Sequence, residues 1–135
     1  MASVYLETSF VSACVTERAD TLSVYRRRLS VGWWNHERQK HEVWSSPEVV
    51  RELSDPGHRG AAESNRLIDG VRLLPLTSEV FGFAHVLVRE KVMPGPVAGD
   101  ALHVACAACH NISIILTWNI RHLANVNKAG HLHRI

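Results

Sequence analysis

The chain has 135 residues, a formal net charge of +2 with histidine neutral, and a hydrophobic fraction of 46%. This length suits one core, so we expect a single domain over residues 1–135. No apolar run reaches the roughly 18–20 residues of a membrane span, and the N-terminal segment lacks the pattern of a signal peptide. These features predict a cytoplasmic protein without membrane association, and the three cysteines suggest no disulfide framework.

The first elements in chain order are a short strand and a long helix. SVYLE (Ser3 to Glu7) is β-prone and predicts a buried strand that ends in a carboxylate. A helical pattern runs from Asp20 to about Lys40, with a possible kink at Gly32. Its apolar residues fall three or four apart and are predicted to share one face: Leu22, Tyr25, Leu29 and Trp33.

Strands and helices continue to alternate through the rest of the chain. The predicted strands are EVWSS, VRLLPL and ISIILT, and the predicted helices are SPEVVREL, AAESNRLID, TSEVFGFAHVLVREK and DALHVACAACH. The last of these helices is apolar nearly all round and should be buried. This alternation predicts an α/β fold with a parallel sheet of four or slightly more strands, covered by helices on both faces.

Four oxygen-bearing side chains stand at comparable places in this predicted fold. Glu7 ends the first strand and Glu52 lies about one helical turn after the second. Asp100 opens the buried helix, and Asn119 lies just past the fourth strand. Sites in open α/β sheets form beyond the carboxyl ends of the strands. Carboxylates that converge there repel one another unless a cation binds among them, and hard oxygen ligands favour Mg²⁺ or Mn²⁺. Such ions activate water for phosphodiester hydrolysis.

Four sequence motifs carry a family resemblance over essentially the whole chain. They are YLETS, SSPEVVREL, DALHVA and ILTWNIRHLAN. In this order and rough spacing they resemble the PIN-domain family, and most closely its VapC-type toxins of type II toxin–antitoxin pairs. The LTWN form is similar to that of a PIN-like subgroup. The resemblance implies a three-layer α/β/α sandwich, a Mg²⁺- or Mn²⁺-dependent ribonuclease, a homodimer, and an antitoxin that blocks the site.

The resemblance also implies roles for individual residues. Glu7, Glu52 and Asp100 are expected to hold the metal ion, and with Asn119 they form the expected catalytic set. Ser9 is expected to support this set. Thr117 is expected as a second supporting hydroxyl. Apart from the resemblance, the basic cluster Arg26-Arg27-Arg28 suggests phosphate contacts by Arg26 and Arg27, with a solvated helix face as the alternative. Arg121 and His122 are further candidates for phosphate contact, with a solvated loop as the alternative.

Two residues depart from the family pattern. Glu7 is one methylene longer than the usual Asp, and Asn119 is neutral where many members carry a fourth Asp. A longer carboxylate can still reach the same ion, and an amide oxygen can ligate a cation or hold a metal-bound water. The loss of one negative charge is expected to weaken metal binding or to prevent binding of a second ion.

Several residues keep an alternative structural interpretation. Glu48 shares a helix face with Glu52, but its place in the first turn is explained by the helix dipole. His103 either faces the site or is a hydrogen-bonded core histidine. The run CAACH (Cys106 to His110) matches the c-type haem pattern, yet its place in a buried helix favours packing, so we expect no haem.

The leading functional hypothesis is a metal-dependent endoribonuclease that acts as a toxin. The alternative is a catalytically weakened PIN fold that binds RNA or protein without cutting, which Asn119 favours. A phosphatase or DNA nuclease is a third interpretation, because an acidic site does not by itself specify the phosphodiester.

Overall fold

The computed structural model describes residues 1–119, and in this range it contains four strands and six α-helices. The strands are β1 (Ser3–Leu6), β2 (Glu42–Ser45), β3 (Arg72–Leu73) and β4 (Ile114–Leu116). The helices are α1 (Thr8–Val15), α2 (Thr21–His36), α3 (Pro47–Leu53), α4 (Ala61–Ile68), α5 (Ser78–Arg89) and α6 (Gly99–Cys109). Within this part of the chain, no helix is both long enough and apolar enough to cross a membrane.

The four strands form one parallel sheet in the order β3-β2-β1-β4. The chain first builds β2 and β3 on one side of β1, and then returns to add β4 on the other side. Since parallel crossovers are right-handed, this reversal places the two groups of connecting helices on opposite faces. Helix α1 packs on α2, α3 and α4, and α5 packs on α6, as this rule leads us to expect; α3 also contacts α6. The predicted α/β fold with a four-stranded parallel sheet is confirmed.

The sheet centre and α6 form the middle of the core. Val4, Tyr5 and Leu6 of β1 are almost completely buried because β1 has a neighbour on each side and helices above and below. Helix α6 is buried on nearly every face, as predicted. Its Cys106 lies in this core, and burial raises the pKa of the thiol to about 12, so the side chain packs as a small protonated group.

The long helix differs from its prediction in two respects. Helix α2 runs through Gly32 without a break and ends at His36, and a 3₁₀ turn follows at Arg38–Lys40. The side chains predicted to share an apolar face differ in burial. Trp33 packs edge-on against Phe10, whereas three others are exposed, namely Leu22 (55%), Tyr25 (55%) and Leu29 (45%). Periodicity identifies an apolar face of a helix, but it does not identify what covers that face.

The third strand is shorter than VRLLPL predicted. Only Arg72 and Leu73 pair with β2, and the edge strand ends before Pro75, which has no N–H to donate to a ladder. On α5, Val80, Ala84 and Leu87 are buried, whereas Phe81 is 41% exposed.

Two matched leucine substitutions test this division between core and surface. Leu87→Ala removes a fully buried side chain from α5 and should lower the free energy of unfolding by about 2–5 kcal/mol. Leu29→Ala, on the exposed face of α2, should lower it by less than about 0.5 kcal/mol. Urea denaturation at low protein concentration measures both values. Equal losses would show that the exposed face of α2 is covered in solution.

Candidate active site

Glu7 lies directly past the end of β1 and is held by hydroxyl groups from both ends of the chain. It is only 4% exposed. Ser9 Oγ donates to Glu7 Oε1, and Thr117 Oγ1 donates to the same oxygen at 2.6 Å. Because β1 and β4 are parallel neighbours, the loop after β4 arrives beside Glu7. The two hydroxyls predicted to support the site therefore both contact its first carboxylate.

Glu52 lies on α3, which follows β2, and it is held through one carboxylate oxygen. Thr8 Oγ1 donates to Glu52 Oε1 at 2.5 Å, and His103 Nε2 lies 2.6 Å from the same atom. Burial tends to raise the pKa of Glu52, but the hydrogen bonds from His103 and Thr8 outweigh it and hold that pKa below its usual range. Glu52 is therefore ionised at neutral pH.

His103 satisfies both interpretations of its sequence position. It is fully buried, with 0% exposure, and so belongs to the core. Its Nδ1 lies 2.6 Å from the Tyr5 hydroxyl while its Nε2 faces Glu52. Neither Thr8 nor His103 was among the predicted site residues. The signal for His103 was its position one helical turn after Asp100, whereas no sequence pattern distinguishes Thr8.

Asp100 begins α6 and is joined to Asn119. The Asn119 Nδ2 group donates to both Asp100 oxygens at 3.0 Å, and the backbone N–H of Asn119 donates to Thr117 Oγ1 at 2.9 Å. The amide thus presents its donor side to Asp100. This contact differs from the expected one, in which the amide oxygen faces a cation.

Glu48 has a structural role that exceeds its expected interaction with the helix dipole. It is 4% exposed, receives two hydrogen bonds from Arg51 at 2.6 and 2.8 Å, and accepts the backbone N–H of Gly99 at 2.5 Å. Gly99 has a φ of 51°, a left-handed conformation that favours glycine. Glu48 therefore attaches α3 to the first turn of α6, next to Asp100. Burial opposes its ionisation, but these hydrogen bonds outweigh burial and lower the pKa of Glu48.

The donor set at the strand ends fits a metal ion. Glu7, Glu52 and His103 each offer one ligand atom, and these three atoms lie within 4.8 Å of one another. Two of the three predicted ligands, Glu7 and Glu52, thus come together in one small volume. The third, Asp100, is outside this compact group and is linked to the same region through Asn119 and Thr117.

An open cleft of about 930 Å³ is lined by Glu7 of this group and extends along α1 and α2. Ser9 and Asn119 also line it. Its other charged side chains are mixed in sign: Arg18, Arg26 and Arg59 are basic, and Glu17 and Glu63 are acidic. An anionic ligand bound in the cleft, with its reacting bond near Glu7, would therefore have arginine side chains close to its other charged groups.

The predicted phosphate-contacting residues have different positions. Arg26 lines the cleft, and its guanidinium lies 5.3 Å from the ring centroid of Trp118, within cation–π range. Trp118 is itself fixed by a 2.7 Å hydrogen bond from its indole N–H to Ser30. Arg27 is exposed on α2 and is not among the cleft residues. The positions of Arg121 and His122 lie outside the described residues.

Comparisons with known proteins give consistent results. No family model matches the chain. The chain is 27% identical over 131 residues to a curated protein named ribonuclease VapC47 from Mycobacterium tuberculosis (strain CDC 1551 / Oshkosh), and the match covers 94% of this chain and 92% of that protein.

Two solved structures share the fold. The first is M. tuberculosis VapC20, described as a sarcin–ricin loop cleaving toxin, with a TM-score of 0.68, 23% identity, and coverage of 92% of this chain and 95% of that one. The second is FitAcB from Neisseria gonorrhoeae, with a TM-score of 0.60, 15% identity, and coverage of 90% and 91%. At these identities the structural likeness establishes the fold.

A charge-removing substitution tests the connection made by Glu48. Glu48→Gln should lower the free energy of unfolding at pH 7 by about 1–3 kcal/mol, because it weakens the hydrogen bonds from Arg51 and Gly99. The folded-state pKa of Glu48 is lowered from 4.5. Its stabilisation is therefore complete above that pH and is lost as the pH falls through the lowered folded value.

Guanidinium denaturation at pH 7 and at pH 3 measures this difference, which should shrink at the lower pH. The matched control is Glu63→Gln, since Glu63 forms an exposed ion pair with Arg66 at the same helical spacing. That change should cost less than about 0.5 kcal/mol at either pH. A pH-independent loss for Glu48→Gln would contradict the assigned ionisation.

Restoring a fourth acid tests the contact between Asn119 and Asp100. Asn119→Asp replaces two N–H···O contacts with two facing carboxylates, so it should destabilise the metal-free protein by about 1–3 kcal/mol. Mn²⁺ should then raise the melting temperature of the variant more than that of the wild type, because the cation neutralises the added charge.

Thermal unfolding in EDTA and in Mn²⁺ compares the two proteins. Asn65→Asp serves as the control, since the Asn65 amide also donates a hydrogen bond, to Ala61 O on α4. That variant should lose stability without a larger response to Mn²⁺. Unchanged stability of Asn119→Asp in EDTA would count against the described contact.

Proposed function

We propose that the chain is a PIN-domain protein of the VapC type, that it is a metal-dependent endoribonuclease, and that it is the toxin of a type II toxin–antitoxin pair. Its similarity to ribonuclease VapC47 and the shared fold support this proposal. The observation that carries the proposal is the convergence of Glu7 with Glu52, because Glu7 also lines a cleft that contains three arginines. Such a cleft suits a substrate that carries several phosphates, of which one is bound next to the acids.

The proposed metal ligands are Glu7, Glu52 and Asp100. All three offer carboxylate oxygens, the donors that Mg²⁺ and Mn²⁺ prefer. When bound, the ion lowers the pKa of a water and offsets the charge that develops during in-line attack on a phosphodiester. No nucleophilic side chain is required.

Other residues of the chain prepare these ligands. Ser9 and Thr117 both donate to one oxygen of Glu7, which leaves its second oxygen for the ion. Asn119 orients Asp100 through both of its oxygens. In the absence of a cation, this neutral donor reduces the repulsion that a fourth carboxylate would create. Asn119 is therefore proposed to act by orienting Asp100.

RNA is the proposed substrate class. The relatives support it by name, since one is a ribonuclease and another is a sarcin–ricin loop cleaving toxin. Arg26 and Trp118 stand together at the cleft and suit a phosphate next to an unstacked base. Arg27, Arg121 and His122 remain proposed phosphate contacts from the sequence.

A cognate antitoxin and a homodimer are the proposed partners. Leu22, Tyr25 and Leu29 are exposed on α2, the helix whose Arg26 lines the cleft. A protein that covers these apolar side chains would lie next to the cleft and restrict access to it. Co-purification with the product of an adjacent small gene tests the antitoxin, and sedimentation measures the oligomeric state.

Cleavage assays test the proposed activity directly. Purified protein should cut a structured RNA with Mg²⁺ or Mn²⁺ and lose that activity in EDTA. Glu52→Gln and Asp100→Asn should each reduce kcat/KM by at least about 100-fold, because each removes a charged ligand of the ion. The RNA panel should include a sarcin–ricin loop hairpin, and a DNA hairpin of the same sequence and a phosphate monoester should remain uncut.

One variant serves as the control for the assay. Glu90→Gln removes an exposed carboxylate that is not among the cleft residues and should cut within about threefold of the wild-type rate. Metal-dependent RNA binding without cutting would favour the binding-only alternative, which the neutral Asn119 suggests. Cleavage that persists in Asp100→Asn would indicate a contaminating nuclease or a wrongly assigned site.

A further inference from the structure

A continuous chain of buried polar side chains lies behind Glu52. Ser46 Oγ is 2.7 Å from the Tyr5 hydroxyl, which is 2.6 Å from His103 Nδ1, and His103 Nε2 is 2.6 Å from Glu52 Oε1. Ser46, Tyr5 and His103 each have 0% exposure. Buried polar groups destabilise a core unless they are satisfied, and here every link has a partner at normal hydrogen-bond distance.

The direction of the hydrogen bonds in this chain follows from donor and acceptor capacity. An ionised Glu52 is only an acceptor, so His103 Nε2 must carry the hydrogen that lies between them. In neutral imidazole, Nδ1 is then an acceptor, and the Tyr5 hydroxyl must donate to it. The Tyr5 hydroxyl has a single hydrogen, which this bond to Nδ1 uses. Ser46 then donates to the Tyr5 oxygen, and all the donors point toward Glu52.

We propose that His103 is a positioning residue that, supported by Tyr5 and Ser46, fixes Glu52 through Oε1 and leaves Oε2 to bind the metal ion. Thr8 donates to the same Oε1 atom at 2.5 Å. Among residues 1–119, the hydrogen bonds to Glu52 therefore all end on one oxygen. This inference rests on the proposed metal-dependent function.

Direct ligation of the ion by His103 is the competing interpretation, because its Nε2 belongs to the compact donor group. Ligation requires a free lone pair on Nε2, whereas the donor assignment above places a hydrogen on Nε2, which lies 2.6 Å from Glu52 Oε1. Carboxylate ligands of metal sites are themselves held by hydrogen bonds from outer groups, and this is the role proposed for His103.

Mn²⁺ affinity tests the proposal without relying on RNA cleavage. Free Mn²⁺ is measured by electron paramagnetic resonance while the RNA-free protein is titrated. His103→Leu should weaken Mn²⁺ binding about 10–100-fold. Tyr5→Phe removes only the hydroxyl of the next side chain and should weaken binding about 2–10-fold. The control is His85→Leu, which makes the same substitution at an exposed position on α5 and should leave the affinity unchanged.

A double-mutant cycle separates positioning from ligation. If His103 acts through Glu52, adding His103→Leu to Glu52→Gln should weaken Mn²⁺ binding by no more than about twofold further. A further loss of tenfold or more would overturn positioning and assign His103 as a ligand. Circular dichroism and melting temperature establish that each variant is folded. Should His103→Leu fail to fold, Tyr5→Phe decides the question, and wild-type affinity in Tyr5→Phe would overturn the proposal.

The kinetic result distinguishes this proposal from the proposed function. Raising the Mn²⁺ concentration should restore the kcat of Tyr5→Phe to within about twofold of wild type and leave its KM for RNA unchanged, because the variant retains all three carboxylates. Mn²⁺ binding that weakens in the variants, together with a wild type that cuts no RNA, would support the positioning role and reject the ribonuclease. RNA cleavage by the wild type, together with unaltered Mn²⁺ affinity in the variants, would support the ribonuclease and reject the positioning role.

Discussion

The structure depends on keeping several carboxylates close together at the carboxyl ends of parallel strands. Like charges at this spacing repel, and burial makes ionisation still less favourable. Each acid is accordingly matched with hydrogen-bond donors, at least one of which comes from a different segment of the chain, and losing these donors would leave carboxylate oxygens without compensation. The pairs are Glu7 with Ser9 and Thr117, Glu52 with Thr8 and His103, Asp100 with Asn119, and Glu48 with Arg51 and the Gly99 N–H.

Asn119 follows the same principle. An amide at the end of β4 was expected to substitute for a missing acid by offering its oxygen to a cation. In the structure it offers hydrogens to Asp100, so it organises an acid already present. An amide donor thereby takes the place of a carboxylate. The group carries one negative charge fewer, so its side chains repel one another less when no metal ion is bound.

The sequence predicted best those site residues whose positions follow from the order of strands and helices along the chain. Parallel strands bring their carboxyl ends to one edge, so the positions of Glu7 and Asn119 followed from locating two strands. Glu52 followed from the helix after the next strand. The bonds of His103 did not, because a buried histidine at helical spacing is equally consistent with core packing. The exposed face of α2 and the two-residue length of β3 were missed for a related reason: both depend on neighbouring elements and not on local pattern.

The hydrogen bond from Thr117 to Glu7 joins residues that are 110 positions apart, and the backbone N–H of Trp118 donates to Ser9 Oγ across 109 positions. A growing polypeptide acquires Glu7 and Glu52 early in synthesis, but these late contacts require β4 to be complete and docked beside β1. Closing so long a loop carries an entropic cost that only a folded sheet can offset. In a ribosome-bound chain that ends before residue 117, Glu7 therefore lacks the hydrogen bond from Thr117. The acidic group is fully organised only after the last strand has joined the sheet.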